Sequence, residues 1–111
     1  METQAIAKYV RISPRKANRV MALIRGKGIE EAKAILRFLP GKAPKIVERL
    51  LDSAIANAVN NFELSEDDLY VFHAYANRGP VLKRFTIGAM GRVNPRKRPT
   101  SHLYIILEEK E

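Results

Sequence analysis

The 111-residue sequence contains no cysteine. This absence excludes disulfides, thiolate metal sites and cysteine nucleophiles, and it is compatible with a reducing cytosol. No apolar run approaches the roughly 20 residues that a membrane span requires. The first ten residues also lack the basic region followed by an apolar stretch that marks a signal peptide. We therefore expect a soluble, cytoplasmic and unprocessed chain with no membrane partner.

Groups suited to catalysis are scarce as well. Neither His73 nor His102 lies in a zinc-binding spacing, and we expect each to have a packing or hydrogen-bonding role. Ser101 and His102 are adjacent on a predicted strand, so their side chains point to opposite faces. The glycine-containing segments 26–28 and 88–91 match neither a Walker loop nor a dinucleotide fingerprint. The sequence therefore predicts no enzyme, no cofactor and no metal site.

Positive charge is the most informative property of the chain. The 20 lysines and arginines exceed the 12 acidic residues, which gives a formal charge of +8. With 111 residues and 46% apolar content, the chain suffices for one domain with its own core, residues 1–111. A basic domain of this size favours a polyanionic partner, and nucleic acid is the foremost candidate.

The charge is concentrated in two separate segments. Residues 1–27 carry seven basic residues and one acid, Glu2, while residues 78–98 carry seven basic residues and no acid. Either segment alone is also explained as a solvated face that maintains solubility. An acid-free cationic run, however, repels itself unless an anion neutralises it. Two such runs favour the nucleic-acid interpretation.

The amino-terminal segment is predicted to form a strand followed by a basic helix. Residues 4–12 alternate in the manner of a strand with one partly solvated face. Ser13 suits an N-cap and Pro14 the first helical position, and the helix continues to Gly26. Its apolar stripe consists of Ala17, Val20, Met21 and Ile24. The opposite side forms a ridge of Arg15, Lys16, Asn18, Arg19 and Arg25 that suits phosphate contacts.

Two further helices follow. Residues 28–39 form a short helix that ends at Pro40-Gly41, with a buried stripe of Ile29, Ala32, Ile35, Leu36 and Leu39. The longest helix starts at Pro44 and ends at Asn60-Asn61, and we expect it to be the central core helix. Its small residues Ala54, Ala56 and Ala58 allow a close neighbour. A heptad-mediated dimer is the alternative for this stripe.

Residues 78–101 lie between two predicted strands, 69–76 and 101–107. Structureless loops of this length are uncommon in a small domain. A disordered linker is one interpretation, but the segment interleaves apolar residues with its cations. The other is a two-stranded ribbon with residues 88–91 at its tip and arms of about 20 residues, or roughly 60 Å. Because an isolated hairpin is marginal in water, such a ribbon needs a partner, and its charge indicates a phosphate backbone.

The composition of the basic segments also suits folded RNA. Arginine and lysine contact phosphates, while Tyr9, Phe85, Arg84 and Arg92 offer planar groups on which unpaired bases can stack. A thin ribbon fits between RNA helices. On a DNA duplex it would have to enter a groove, usually as part of a symmetric dimer.

Four separated motifs, in order, resemble ribosomal protein L twenty-two of the large subunit. They are VRISPRKANRVMALIRGK, SAIANAVNN, RGPVLKRF and the pair GR and KRPTSH. The resemblance covers nearly the whole chain. It implies an α+β fold in which three helices pack on a small three-stranded antiparallel sheet with a long protruding β-hairpin. The hairpin tip of this sequence departs from the arginine-rich form common in the family, and Pro99 interrupts its last motif.

The resemblance also implies a function. It indicates a structural constituent of the large ribosomal subunit that binds several domains of its rRNA, aids rRNA folding and assembly, and contacts neighbouring ribosomal proteins. The globular body would comprise about residues 1–77 and 102–111. The hairpin, about residues 78–101, would line the exit tunnel for the nascent polypeptide. Leu82-Lys83-Arg84 matches a tunnel-side tripeptide whose alteration is associated with macrolide tolerance in the family.

The charged segments and the family motifs together predict two sets of site residues. The rRNA-binding set is Lys8, Arg11, Ser13, Arg15, Lys16, Arg19, Arg25, Lys27, Lys83, Arg84, Arg92, Arg96, Lys97, Arg98, Thr100, Ser101 and His102. The tunnel-facing set is Leu82, Phe85, Ile87, Gly88, Ala89, Met90 and Gly91. We expect a monomer when free. Two other functions stay open from the residues alone: an independent RNA- or DNA-binding chaperone or regulator, and a catalytic protein acting on an acidic polymer.

Overall fold

The chain begins with a strand, continues through three helices and then returns to strands. A computed structural model describes residues 2–80, 82–87 and 93–109, with the backbone alone for 82–87 and 93–98. Its elements are β1 (Glu2–Val10), α1 (Pro14–Ile24), α2 (Ile29–Phe38), α3 (Lys42–Phe62), a 3-10 turn (Glu66–Asp68), β2 (Leu69–Arg78), β3 (Leu82–Ile87), β4 (Val93–Arg98) and β5 (Ser101–Glu109). The three-stranded antiparallel sheet has the order β1-β5-β2, and β3 pairs with β4. The predicted α+β fold is confirmed.

The first helix forms as its sequence predicts. Ser13 has extended backbone angles, and its hydroxyl accepts a hydrogen bond from the Lys16 backbone N–H at 3.2 Å. This N-cap satisfies one of the donors that a helix leaves free at its start. Proline at the next position loses no hydrogen bond there. The buried residues of α1 are the predicted ones, Ala17, Val20, Met21 and Ile24.

The junction between α2 and α3 depends on a glycine. Gly41 has a φ of 106°, a conformation that side chains with a Cβ rarely adopt. Helix α3 starts directly after it, at Lys42 instead of the predicted Pro44. At its other end, α3 extends to Phe62, and the Leu64 N–H donates to the Ala58 carbonyl at 3.1 Å. This bond closes the carboxyl end of the helix.

Helix α3 lies at the centre of the core, as predicted. Its apolar stripe is buried against the other helices and the sheet: Val47, Leu50, Leu51, Ala54, Ile55 and Ala58. These six residues are covered within this chain, so most of the stripe that a heptad dimer would use is occupied, whereas Val59 at its end is 38% exposed. Ala56 is exposed, so only Ala54 and Ala58 serve the predicted close approach. No helix in the described part of the chain combines the length and apolarity that crossing a bilayer requires.

The inner face of the sheet is set by strand alternation and two bulges. On β5, every second residue from Ser101 to Leu107 is buried. On β2, the register shifts between Val71 and His73, so the inward positions change from Leu69 and Val71 to Ala74 and Ala76. This bulge explains why the strand has apolar residues at both odd-numbered and even-numbered positions.

Strand β1 turns its small residues inward. Thr3 and Ala5 are buried, whereas Ile6 is 42% exposed on the outer face. The strand covers residues 2–10, shifted by two from the predicted 4–12. Between the pairs Ala7↔Leu103 and Val10↔Ser101, two residues of β1 oppose one residue of β5. The resulting bulge lies at the point where the chain leaves the sheet for α1.

The free edge of β2 is closed by the segment that joins α1 to α2. The Gly26 N–H donates to the Val71 carbonyl at 2.7 Å, and the Val71 N–H donates to the Lys27 carbonyl at 2.9 Å. The side-chain amide of Asn18 makes two bonds to the backbone of Ala76: its Nδ2 donates to the carbonyl at 3.0 Å, and its Oδ1 accepts from the N–H at 2.8 Å. These bonds pair an edge that would otherwise be open to other strands. They also fix the rotation of α1 about its axis.

A short interruption separates the body sheet from the β3–β4 ribbon. The β2–β5 ladder ends at Arg78↔Ser101, and the β3–β4 ladder begins at Leu82↔Arg98. The connecting chain is three residues long on one side and two on the other. Each side contains a proline, which has no N–H for a ladder bond. Gly79 fits this interruption because a Cβ there would lie 2.6 Å from Thr100 Oγ1. The predicted ribbon is present in the described backbone, while its predicted tip, residues 88–91, lies outside the described residues.

Candidate nucleic-acid interface

A groove of about 810 Å³ lies between α1 and the connection from α2 to α3. Its apolar lining comes from both sides and includes Val20, Leu23, Leu39 and Pro44. The groove exists because Pro40-Gly41 ends α2 and directs the start of α3 back toward α1. Its walls are the residues Arg11, Ile12, Ser13, Lys16, Arg19, Val20, Leu23, Leu39, Pro40, Gly41, Lys42, Ala43, Pro44 and Pro99.

Four exposed cations line this groove: Arg11, Lys16, Arg19 and Lys42. Lys16 and Arg19 are three residues apart on α1, so they lie on the same side of the helix. Arg11 comes from the segment before α1, and Lys42 is the first residue of α3. Three different parts of the chain thus contribute positive charge to one concave surface, which we call the basic groove.

The cations of the basic groove have no acidic partner among the described residues. The ion pairs found among the described residues lie outside the groove. They join Lys27 to Glu31, Lys33 to Glu66 and Arg37 to Glu48, with N–O distances of 3.7, 2.8 and 3.9 Å. All three pairs involve α2 or its immediate neighbourhood. The positive charge of the groove is therefore uncompensated within the described part of the chain, and a bound anion would relieve its self-repulsion.

Two helix starts add to the positive potential of the basic groove. Helices α1 and α3 both begin at its walls, and neither has an acidic residue in its first turn. In contrast, α2 begins with Glu30 and Glu31. Because the first N–H groups of a helix carry partial positive charge, acid-free helix starts favour anions. The groove thus combines mobile side-chain cations with fixed backbone dipoles.

This combination suits a ribose-phosphate chain. Guanidinium and ammonium groups contact phosphate oxygens, and contacts of this kind provide much of the affinity for nucleic acid. The apolar floor offers surface for sugars or bases, which a site for inorganic phosphate alone does not need. The arrangement suits the binding and neutralisation of phosphates, and among the described residues its lining contains neither histidine nor a carboxylate for proton transfer.

The amino-terminal site residues from the sequence fall into two groups. Arg11, Ser13, Lys16 and Arg19 come together in the basic groove. The Ser13 hydroxyl is engaged as the N-cap of α1, so its role is to hold the helix start. Two predicted residues are exposed outside the groove lining, Lys8 on β1 and Arg15 on α1.

The carboxyl end of α1 contacts strand β2 of the sheet. Arg25 donates from Nε to the Ala74 carbonyl at 2.6 Å, and Lys27 forms its ion pair with Glu31. Asn18, which the sequence groups with the basic ridge, is bonded to β2 instead. The predicted ridge is therefore not one continuous surface: Lys16 and Arg19 line the groove, Arg15 is exposed beside it, and Asn18 and Arg25 bond to β2. Periodicity cannot distinguish two polar sides of one helix when one of them faces a strand edge.

Two predicted rRNA contacts near the start of β5 have buried side chains. Thr100 is 2% exposed and its hydroxyl donates to the Pro80 carbonyl, while Ser101 is fully buried and donates to the Ile12 carbonyl. These bonds hold the hairpin base and the β1–α1 connection against the sheet. The structure thus places the side chains of Thr100 and Ser101 inside the body, and their contact with rRNA stays a prediction.

His102 and Tyr9 form a pair on the outer face of the sheet. The backbone N–H of Tyr9 donates to His102 Nδ1 at 3.1 Å, and the two ring centroids lie 4.8 Å apart with perpendicular planes. Tyr9 has a φ of 57°, a left-handed conformation that costs a residue with a Cβ about 1–2 kcal/mol. His102 thus has the hydrogen-bonding role expected of it.

The remaining predicted site residues lie in the hairpin. The side chains of Leu82, Lys83, Arg84, Phe85, Ile87, Arg96, Lys97 and Arg98 lie outside the described part of the structure. Gly88, Ala89, Met90, Gly91 and Arg92 lie outside the described residues altogether. These assignments stay predictions.

Lys42 is the groove residue that the sequence analysis missed. It belongs to the middle of the chain, where five basic residues are outnumbered by acids, so charge counting gives it no prominence. The only local signal is its position directly after Pro40-Gly41. A turn at that dipeptide is predictable, but the direction in which it sends α3 depends on tertiary packing.

The fold is that of a small α+β domain, and the basic groove has the features that nucleic-acid-binding proteins use. A family model described as ribosomal protein L22p/L17e matches residues 5–108, and the chain belongs to this family. The family resemblance stated from the motifs is confirmed. By this membership the chain is a structural constituent of the large subunit of the cytoplasmic ribosome, and rRNA binding fits the family.

Curated relatives match over the full length of the chain. The chain is 53% identical to the large ribosomal subunit protein uL22 of Carboxydothermus hydrogenoformans over 111 residues, covering 100% of this chain and 98% of the relative. It is 51% identical to the protein of the same name from Halothermothrix orenii, with the same coverage. The corresponding protein of a Thermoanaerobacter species is 53% identical and covered completely.

The division of α1 into a sheet-facing and a groove-facing side predicts effects of different size on stability for substitutions at two neighbouring residues. Asn18→Ala should lower the free energy of unfolding by about 1–3 kcal/mol, because it leaves the N–H and carbonyl of Ala76 without partners. Arg19→Ala should change it by no more than about 0.5 kcal/mol, since Arg19 is exposed. Urea unfolding followed by circular dichroism measures both values. Equal effects would contradict the assignment of Asn18 to the edge of β2.

Proposed function

We propose that the basic groove is a surface through which this protein binds large-subunit rRNA. The observation that carries the proposal is the set of exposed cations Arg11, Lys16, Arg19 and Lys42, which have no acidic partner in the described residues. Because they come from three parts of the chain, they can contact phosphates of more than one RNA segment. Neutralising phosphates where such segments meet lowers the repulsion that opposes rRNA folding and assembly.

The exposed cations next to the groove extend this surface. Lys8 and Arg15 lie on β1 and α1 close in sequence to Arg11 and Lys16, and both are exposed. Arg25, Lys27 and His102 each have a partner within the chain, and their contacts with rRNA stay predictions. The protein acts in this account without catalysis, and it is a monomer until it meets rRNA and neighbouring ribosomal proteins in the subunit.

The β3–β4 hairpin has a separate role in this proposal. The body, about residues 1–77 and 102–111, binds near the subunit surface, and the hairpin, about residues 78–101, extends along the nascent-peptide exit tunnel. The interruption between the two ladders at Gly79 and Thr100 supports this division, because the hairpin is not a simple continuation of the body sheet. Its cations contact rRNA, and residues near its tip face the nascent polypeptide.

Binding to large-subunit rRNA should weaken steeply with salt. Each phosphate contact contributes about 0.7–0.9 to the slope of log affinity against log salt concentration. The double variant Lys16→Gln/Arg19→Gln should therefore reduce that slope by roughly 1.4–1.8. Filter binding of the full chain to in vitro transcribed large-subunit rRNA, across a salt series, measures the slope.

A matched control removes one lysine and one arginine from a different helix. Lys33→Gln/Arg37→Gln lowers the net charge by the same amount, but both residues are in ion pairs on or beside α2. The control slope should stay close to that of the unmodified protein. Identical slopes for the two double variants would show that overall charge, and not the basic groove, governs binding. An affinity independent of salt would reject the proposal.

Shortening the hairpin should move its tip without unfolding the body. Deleting Phe85 and Thr86 together with their partners Asn94 and Pro95 removes two cross-strand pairs and no charge. Removing two residues from each strand preserves the alternation of faces and retracts the tip by about 7 Å. The melting temperature of the body should be unchanged, and crosslinks from the tip to a stalled nascent chain in purified ribosomes should shift along that chain.

The control for this deletion is a tunnel-wall crosslink from another ribosomal protein, which should not move. Loss of the folded body would contradict the division into body and hairpin. A tip crosslink that stays at the same nascent-chain position, or is absent in the unmodified protein, would contradict the tunnel placement.

A further inference from the structure

Tyr9 has an unusual combination of properties for a residue in a strand. The residue is 64% exposed, and its backbone has a φ of 57°. It lies in the bulge where Lys8 and Tyr9 together oppose His102 on β5. Asparagine or glycine adopts this conformation more readily. Since most of the ring is outside the core, burial of the ring does not account for a tyrosine here.

The surrounding contacts hold the Tyr9 ring in a defined position. Its backbone N–H is bonded to His102 Nδ1, and its ring lies at right angles to the imidazole with centroids 4.8 Å apart. In this perpendicular arrangement the imidazole covers at most one face of the phenol. An open aromatic face is thus presented on a backbone that packing and hydrogen bonding have already fixed.

The charges next to Tyr9 indicate what this face would contact. Lys8 precedes it, Arg11 follows two residues later on the wall of the basic groove, and both are exposed. An apolar segment of another protein would gain little from these flanking cations. A nucleotide would gain from both, because its phosphates pair with the cations while its base stacks on the ring.

We propose that Tyr9 is a stacking platform for an unpaired base of rRNA whose flanking phosphates are bound by Lys8 and Arg11. This inference rests on the proposed rRNA-binding function and adds a contact that involves a base. The bulge at Lys8-Tyr9 interrupts the alternation of β1, and Tyr9 within it is exposed. His102 orients it, so His102 acts as a positioning residue.

The first test compares Tyr9→Phe with Tyr9→Asn in filter binding to in vitro transcribed large-subunit rRNA. Tyr9→Phe keeps the ring and should bind like the unmodified protein. Tyr9→Asn tolerates the left-handed backbone but has no ring, so its affinity should fall by roughly five- to 150-fold. The salt slope should be the same for both variants, because neither changes a charge. Equal affinities would overturn the proposal.

A second test uses fluorescence, because the chain contains no tryptophan. Tyr9→Trp introduces a single indole, whose emission should be quenched when rRNA binds and a base stacks on it. Polyphosphate, which occupies cations but has no bases, should leave the emission largely unchanged. Phe62→Trp is the control, since Phe62 is 45% exposed and is followed by Glu63, Glu66 and Asp67. Its emission should not respond to rRNA.

The outcomes separate this inference from the proposed function. A steep salt slope with equal affinities for Tyr9→Phe and Tyr9→Asn would retain the basic groove and reject the stacking platform. Equal quenching of Tyr9→Trp by rRNA and polyphosphate would also reject it. Absence of salt-dependent rRNA binding by the unmodified protein would reject the proposed function itself. If Tyr9→Trp does not fold, the difference in rRNA affinity between Tyr9→Phe and Tyr9→Asn still tests the stacking platform.

Discussion

The attachment of α1 to the free edge of β2 is the constraint on which the arrangement of the basic groove depends. Backbone groups of Val71, Ala74 and Ala76 are bonded by Asn18, Arg25 and the chain around Gly26. These bonds protect the edge from pairing with other strands, and they fix the rotation of the helix. With one polar side of α1 committed to the sheet, Lys16 and Arg19 necessarily face the start of α3. The same contacts thus complete the fold and position the surface that we propose binds RNA.

Charge is distributed in two ways within the described residues. Around α2, Lys27, Lys33 and Arg37 are balanced by nearby glutamates, so that side behaves as an ordinary solvated surface. Around the basic groove, like charges are brought together without acids, and two helix starts reinforce them. Such a surface destabilises the free protein slightly and favours a state in which phosphates occupy it. Because the chain belongs to a ribosomal protein family, rRNA is the polyanion that we propose occupies this surface.

Local patterns in the sequence predicted most of the fold. The cap at Ser13 and the apolar stripes of the three helices could be predicted from residue spacing, because each depends on neighbours along the chain. The ribbon could be predicted from the length and composition of residues 78–101. The motifs also indicated the family. Three features could not be predicted: the commitment of Asn18 to Ala76, the return of Lys42 to α1, and the bulge that contains Tyr9. Each of these depends on contacts between residues more than 20 positions apart, and no local pattern encodes them.

The central claim is that the basic groove faces rRNA in the assembled particle. The most direct measurement is an electron cryo-microscopy reconstruction of large subunits that contain this chain. Our account predicts rRNA phosphates within hydrogen-bond distance of Arg11, Lys16, Arg19 and Lys42. A groove that faces bulk solvent, or that is filled by another protein while rRNA contacts only the α2 side, would contradict it.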